Sequence, residues 1–274
     1  MDLSLSESEL GFANEARRWL SANLGDVPRF ADLAEEIEWG RHWQARMAAD
    51  RWVGIYWPRA YGGRGASPVQ VALFNMEYAR AGAPQPVNRV GINLAGPTLL
   101  AHGTEAQKRR WLPSILDASE IWCQLFSEPD AGSDLASLRT RAEPATDAEG
   151  NPGWLLTGQK VWTSYATFAR WGICLARTDP DAPRHKGISV LIIDMKAEGV
   201  TSRPLPEMND RSHVDFNEVF FDEVVVPRDH LVGELNQGWA ISTGSLAHER
   251  GMMWLSNAAT LEQQIDAIRE LARE

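Results

Sequence analysis

The sequence predicts an α+β protein: a helical first third, an antiparallel β middle and a helical end. Three observations carry that reading. Apolar residues recur at helical spacing up to about residue 120, alternate in short runs from Ile121 to Val226, and return to helical spacing from Trp239 onward. Turn clusters separate the alternating runs, as at Asp147-Ala148-Glu149-Gly150-Asn151-Pro152-Gly153, and connections this short hold no crossover helix, so the strands are expected to pair antiparallel. Capping signals punctuate the helical parts. The changes of period divide the chain into segments 1–120, 121–233 and 234–274.

Taken in order, Ser6 and Glu9 form a capping box before a first helix that runs to about Leu24, with Phe12, Ala16, Trp19 and Leu20 on one face. A second helix is expected from about Asp32 to Asp50, and the Pro/Gly-rich loop from Tyr56 to Ala66 breaks the pattern. Ser67-Pro68 starts a third helix, with Val69, Leu73 and Met76 sharing a face and Gly82 as its stop. An apolar helix is expected from Val87 to His102, ending at Gly103, and Thr104 with Gln107 caps another. The predicted strands cover 121–127, 137–146, 153–163, 171–178, 187–195, 200–206 and 213–226. From Trp239 a helix carries Trp239, Thr243, Leu246, Arg250 and Met253 on one face, and the chain ends at Glu274 within a further, amphipathic helix with no partner, so one helix and part of another are expected.

Composition narrows the function. The chain has 274 residues, a formal net charge of −10 and a pI near 5.2, which argues against nucleic acid or an anionic membrane as partner. Neither an N-terminal leader pattern nor an apolar run of membrane-spanning length is present, and Cys123 and Cys174 sit in apolar runs, so a cytoplasmic protein with two core thiols is expected. Twelve tryptophans call for extensive aromatic packing. No G-x-G-x-x-G follows a strand, the glycines at 62, 63 and 65 lack the spacing of a phosphate loop, the six histidines show no metal-ligand spacing, and no serine is framed as a hydrolase nucleophile. No metal is expected.

Three stretches remain as candidates. Cys123 to Asp134 reads as a buried strand feeding a Ser/Asp/Gly loop, whose Ser127, Ser133 and free backbone N–H groups suit a polar heterocycle or a carbonyl; an ordinary strand and turn is the alternative. In Gly158 to Ser164, alternation places Trp162 and Ser164 on one face and Thr163 on the other, so an indole and a hydroxyl can cover and edge a planar ring; a packing tryptophan is the alternative. On the helix near residue 245, Gly238, Ser242 and Ser245 lie ahead of Glu249 and clear space on its face, which would leave a partly desolvated carboxylate able to act as a general base; a solvated, ion-paired Glu249 is the alternative.

Together these residues resemble the acyl-CoA dehydrogenase family of flavoproteins. The resemblance rests on ordered motifs: Tyr56-Trp57-Pro58 with Tyr61-Gly62-Gly63, Gly96-Pro97 with Gly103-Thr104-Glu105, Ser127-Glu128-Pro129 with Ala131-Gly132-Ser133-Asp134, and Gly158-Gln159-Lys160 with Trp162. Val219 to Val224 with Val226-Pro227, Gly233-Glu234 with Gly238-Trp239, and Glu249-Arg250 continue the series. The resemblance implies that the end of the chain is the start of a C-terminal helical bundle, and that FAD lies between the domains. It further implies cofactor contacts from Gln124, Leu125, Phe126, Ser127, Trp162, Thr163 and Ser164, substrate contacts from Ser133 and Arg250, and Glu249 as catalytic base. Most of the family carries that base farther along, in a region this sequence does not reach; Glu274 is therefore expected to be a truncation point or an early gene end. The implied activity is α,β-dehydrogenation of an acyl-CoA thioester in fatty-acid metabolism, with an electron-transfer flavoprotein or similar acceptor and a homo- or hetero-oligomer. A flavin oxidase or monooxygenase of the same fold, and a non-catalytic partner subunit, are the alternatives.

Overall fold

A computed structural model describes the backbone of residues 4–208 and 214–273; within the last helix the side chains of 245–257, 259–260 and 263 lie outside the description. The helical region holds α1 (Glu7–Asn23), α2 (Leu33–Ala49), α3 (Pro68–Arg80), α4 (Gly96–His102) and α5 (Glu105–Leu116). Their starts follow local chemistry. Ser6 with Glu9, Ser67 with Gln70 and Thr104 with Gln107 each close a capping box, and Asp32 caps α2 through the Glu35 N–H.

On α3 the buried face is Val71, Phe74, Glu77 and Tyr78, while Val69, expected inside, is 41% exposed. A charged residue inside that face hid it from hydropathy. Glu77 is buried because Arg17 and Arg80 bond its two oxygens, at 2.7 to 2.9 Å, and Arg17 foremost holds its carboxyl below the usual range. The helix expected from Val87 to His102 is interrupted by a π-helical turn at Gly91–Ala95. Pro97 has no N–H to return to the preceding turn, Gly96 N donates to Gly91 O, and the Tyr56 hydroxyl takes the Ile92 carbonyl at 2.8 Å. A Cβ on Gly91 would come within 2.6 Å of the Asn88 amide, so the wider turn is packed tightly on its back side. Most tryptophans pack in aromatic clusters: Trp52 stacks on Phe74 at 5.3 Å, and Trp111, Trp122 and Trp171 meet between α5 and the sheet.

The sheet contains β1 (Trp122–Leu125), β2 (Arg141–Thr146), β3 (Pro152–Ser164), β4 (Trp171–Arg177), β5 (Ile188–Asp194), β6 (Val200–Pro204), β7 (Phe216–Pro227) and β8 (Leu231–Val232). The order is β6-β7-β3-β2-β4-β5-β8, with β1 beside β4. Pairing is antiparallel apart from β1 with β4, which run parallel in register Trp122↔Trp171, and one parallel pair where β2 crosses onto β4. Short connections forbid parallel pairing only between neighbours in sequence; β1 skips the whole β2–β3 hairpin to reach its partner. One face of the sheet joins the helical core through Trp122, Ile173, Leu175, Val190 and Ile192. The other buries Cys123, Leu125, Cys174, Leu191 and Ile193 against Val219 and Phe221. Both cysteines are free, and burial pushes their thiols up, Cys174 to about 12.

Two buried amides join helices to sheet. Gln44 donates to the Ile115 and Leu116 carbonyls at 2.9 and 3.0 Å and accepts from Asn88 N. Asn88 donates to the carbonyls of Ile115 and Glu120 and accepts from Trp122 N at 2.9 Å, the first residue of β1. The last helix, α6 (Gly238–Leu271), starts against β5: Gly238 sits so close that a Cβ would meet the Ser189 backbone at 2.6 Å, and Ser242 is buried. Farther along, α6 exposes Leu261, Ile265, Ile268 and Leu271.

Candidate functional site

A cleft of 490 Å³ lies between the helical region and the sheet. The helical side supplies Trp52, Val53, Ile55, Tyr56, Val71, Phe74, Ile92 and Leu94, and the sheet side supplies Gln124, Ser164 and Tyr165. Gln124 reaches the cleft because β1 alternates: Cys123 and Leu125 enter the far core, so Gln124 lies on the helix-facing side with Trp122.

Ser164 arrives by a different route. The β3–β7 register shifts between Lys160 and Thr163, and Trp162 takes a positive φ of 59°. Simple alternation expected Trp162 and Ser164 on one face. Trp162 stands 63% exposed, edge-on at 6.1 Å to Phe216, the register partner of Ser164, and outside the cleft lining, while Ser164 lines the cleft. Thr163 is fully buried, and its hydroxyl has no hydrogen-bond partner among the described residues.

A buried ion pair ties the two motif stretches together. Lys160 Nζ lies 2.8 Å from Glu128 Oε1 and 3.1 Å from Phe126 O, and Glu128 also accepts from the Arg139 and Thr140 N–H groups at 2.6 and 2.9 Å. Burial raises the Glu128 carboxyl, but the Lys160 charge and these bonds outweigh it and hold it below the usual range. The pair thus pins the loop after β1 to β3. Val161 N donating to Ser127 O at 2.9 Å reinforces the link.

The other sequence-derived candidates fall around this frame. Leu125 and Phe126 bury their side chains in the cores, so only their backbone faces the loop region. Ser127 is half-buried and Ser133 is exposed on the following loop, and neither lines the cleft. The side chains of Ser245, Glu249 and Arg250 lie outside the described residues. Of the small residues expected ahead of Glu249, Gly238 lies against the Ser189 backbone and Ser242 is buried. Sequence reading missed Asn75, Gln85, Arg89 and Asn93, which all line the cleft. The available signal was a polar residue inside an apolar run, as Asn93 is within Gly91-Ile92-Asn93-Leu94-Ala95.

Asn75, Asn93, Gln124 and Ser164 are half-buried in the cleft, and among the described residues their side chains have no hydrogen-bond partner. Unsatisfied amides and a hydroxyl between aromatic walls suit a ligand with flat rings and polar edges, and so fit a flavin or a thioester carbonyl. Among the described residues no group of His, Cys, Asp and Glu could hold a metal ion, and no helix is long and apolar enough to cross a membrane.

Comparison with known proteins decides the family. Residues 6–119 match the acyl-CoA dehydrogenase N-terminal domain and residues 123–224 the acyl-CoA dehydrogenase middle domain. The chain belongs to the acyl-CoA dehydrogenase family. It is 43% identical over 271 residues to the acyl-CoA dehydrogenase IpdE1 of Mycolicibacterium smegmatis, a match covering 94% of this chain and 67% of that protein. Among solved structures, one titled "Tcur3481-Tcur3483 steroid ACAD" superposes with a TM-score of 0.83 at 33% identity, covering 100% of this chain and 69% of that one. The ChsE4-ChsE5 complex from Mycobacterium tuberculosis gives a TM-score of 0.74 at 34% identity, covering 90% of this chain and 61% of that one. The chain thus spans about two thirds of the length of these acyl-CoA dehydrogenases. The Ser127-Glu128-Pro129 and Gly158-Gln159-Lys160 stretches carry the two ends of the buried ion pair.

Proposed function

We propose that this chain takes part in the FAD-dependent α,β-dehydrogenation of an acyl-CoA thioester, as one subunit of an oligomer. The observation that carries the reading is the cleft, where Gln124 and Ser164 present unpartnered polar groups beside a wall of aromatic rings. FAD, when bound, supplies the redox chemistry by accepting a hydride from the substrate's β carbon. The chain's own residues bind and align: Ser164 and the amide of Gln124 hydrogen-bond ring or carbonyl edges, the aromatic wall excludes water, and the Lys160–Glu128 pair fixes both contributing strands. Glu249 is proposed as the base for the α proton, with Arg250 orienting it. The segments 1–120, 121–233 and 234–274 are proposed as the domains.

Similarity to a steroid ACAD supports a ring-bearing acyl group over a plain fatty chain. The paired names of both structural neighbours and the exposed row Leu261, Ile265, Ile268 and Leu271 on α6 support assembly with a second subunit, of the same or another kind. Flavin titration tests the reading. FAD added to the protein, with the subunit that co-purifies if there is one, should show a shifted visible spectrum and altered fluorescence, and Ser164→Ala should weaken binding about tenfold for a lost hydrogen bond. Unchanged flavin spectra at saturating protein would remove the proposal.

A further inference from the structure

The cleft is lined by one charged side chain. Arg89 stands at its helical side, exposed, with Nη2 3.4 Å from the Tyr165 hydroxyl and its guanidinium carbon 6.0 Å from that ring's centre. Among the described residues no carboxylate pairs with it, so most of its five donors have no protein acceptor. Asn93 lies four residues on, in the π-helical turn, half-buried and unpartnered, and Asn75 adds another free amide. The backbone that carries Arg89 and Asn93 is held from behind. Asn88 is locked by bonds to Ile115, Glu120 and Trp122, and Gly91 packs against the Asn88 amide. The segment therefore has a saturated polar back and an unsaturated polar front, on an otherwise apolar and aromatic wall.

We infer that Arg89, with Asn93 beside it, selects acyl groups that carry an oxygen of their own, as a ketone or a carboxylate, over plain hydrocarbon acyl groups. This rests on the acyl-CoA reading above. A hydrocarbon acyl group filling the cleft would strip water from these donors and return nothing, whereas an oxygen acceptor on the acyl group replaces the lost water. A site built to bond a substrate oxygen discriminates strongly against the analogue lacking it, because its own polar groups are then left unpaired. Arginine suits both forms of acceptor: a ketone oxygen takes one N–H, and a carboxylate takes two in a fork.

Calorimetric binding to the full chain, with any co-purifying subunit, tests this with four probes: octanoyl-CoA, the same chain ending in a methyl ketone, the same chain ending in a carboxylate, and free CoA. The unmodified protein should bind one or both oxygen-bearing thioesters roughly ten- to hundredfold tighter than octanoyl-CoA, the span expected for one charge-assisted hydrogen bond. Arg89→Met should erase that preference and leave octanoyl-CoA and free CoA within about threefold, the residual scatter of a remote surface change. Arg89→Lys should keep the carboxylate preference in part and lose more of the ketone preference, because a point charge replaces a planar fork. A preference that survives Arg89→Met, or no preference in the unmodified protein, overturns the inference and leaves the dehydrogenase reading standing. Equal weakening of all four probes, free CoA included, also overturns it, by making Arg89 a contact for the CoA phosphates. If no acyl-CoA binds the unmodified protein, both proposals fall together.

Discussion

Gln44 and Asn88, at the base of the joint between helices and sheet, have every amide group bonded. Asn75, Asn93, Gln124 and Ser164, around the cleft between the same helical region and sheet, have none of theirs bonded among the described residues. All six are short polar side chains at the same interface. The difference lies in what surrounds them: carbonyls and an N–H at strand and helix ends in the first set, aromatic rings and open space in the second. Polar groups saturated within the protein join elements together, and polar groups left unsaturated in a cleft await something else.

Lys160→Met should break the comparison most severely. It leaves the Glu128 carboxylate buried without its partner, a change that typically costs about 3–5 kcal/mol, and it frees the loop after β1. Denaturant unfolding measures this; a loss below about 1 kcal/mol would show that the pair does not hold the motif stretches together. Asn88→Ala should come next. It strips the Trp122 N–H and the Glu120 carbonyl of their bonds, at about 1–3 kcal/mol for each buried group left unpaired, and a melting curve with no shift would deny the joint its role. Smallest of all should be Gln124→Ala and Ser164→Ala. With no bond to lose, each should stay within about 0.5 kcal/mol of the unmodified protein, so a large loss of stability would move these residues into the structural set.

Much of this contrast is legible in the sequence, for local reasons. Ser6 with Glu9 and Thr104 with Gln107 announce their helix starts because a capping box is complete within four residues. The Ser127-Glu128-Pro129 and Gly158-Gln159-Lys160 stretches stand out as motifs, yet nothing local shows that Glu128 and Lys160 bond each other. The face of α3 is misread for a physical reason. Periodicity assumes that a charged residue points outward, and Glu77 inside an arginine pair violates that. Asn93 escapes notice because it sits in a π turn within a stretch that reads as plain apolar helix, and Arg89 because it stands at the start of that stretch.

The parallel pairing of β1 with β4 has a consequence for how the molecule comes together in time. The β2–β3 and β4–β5 ladders join strands adjacent in sequence, whereas β1 must close a loop of about fifty residues before Trp122 meets Trp171, and that closure costs more chain entropy. Gln124 rides on this late strand and Lys160 on the early hairpin. The cleft therefore exists only once this long-range pairing has formed, and a chain that has only its hairpins cannot display a working site.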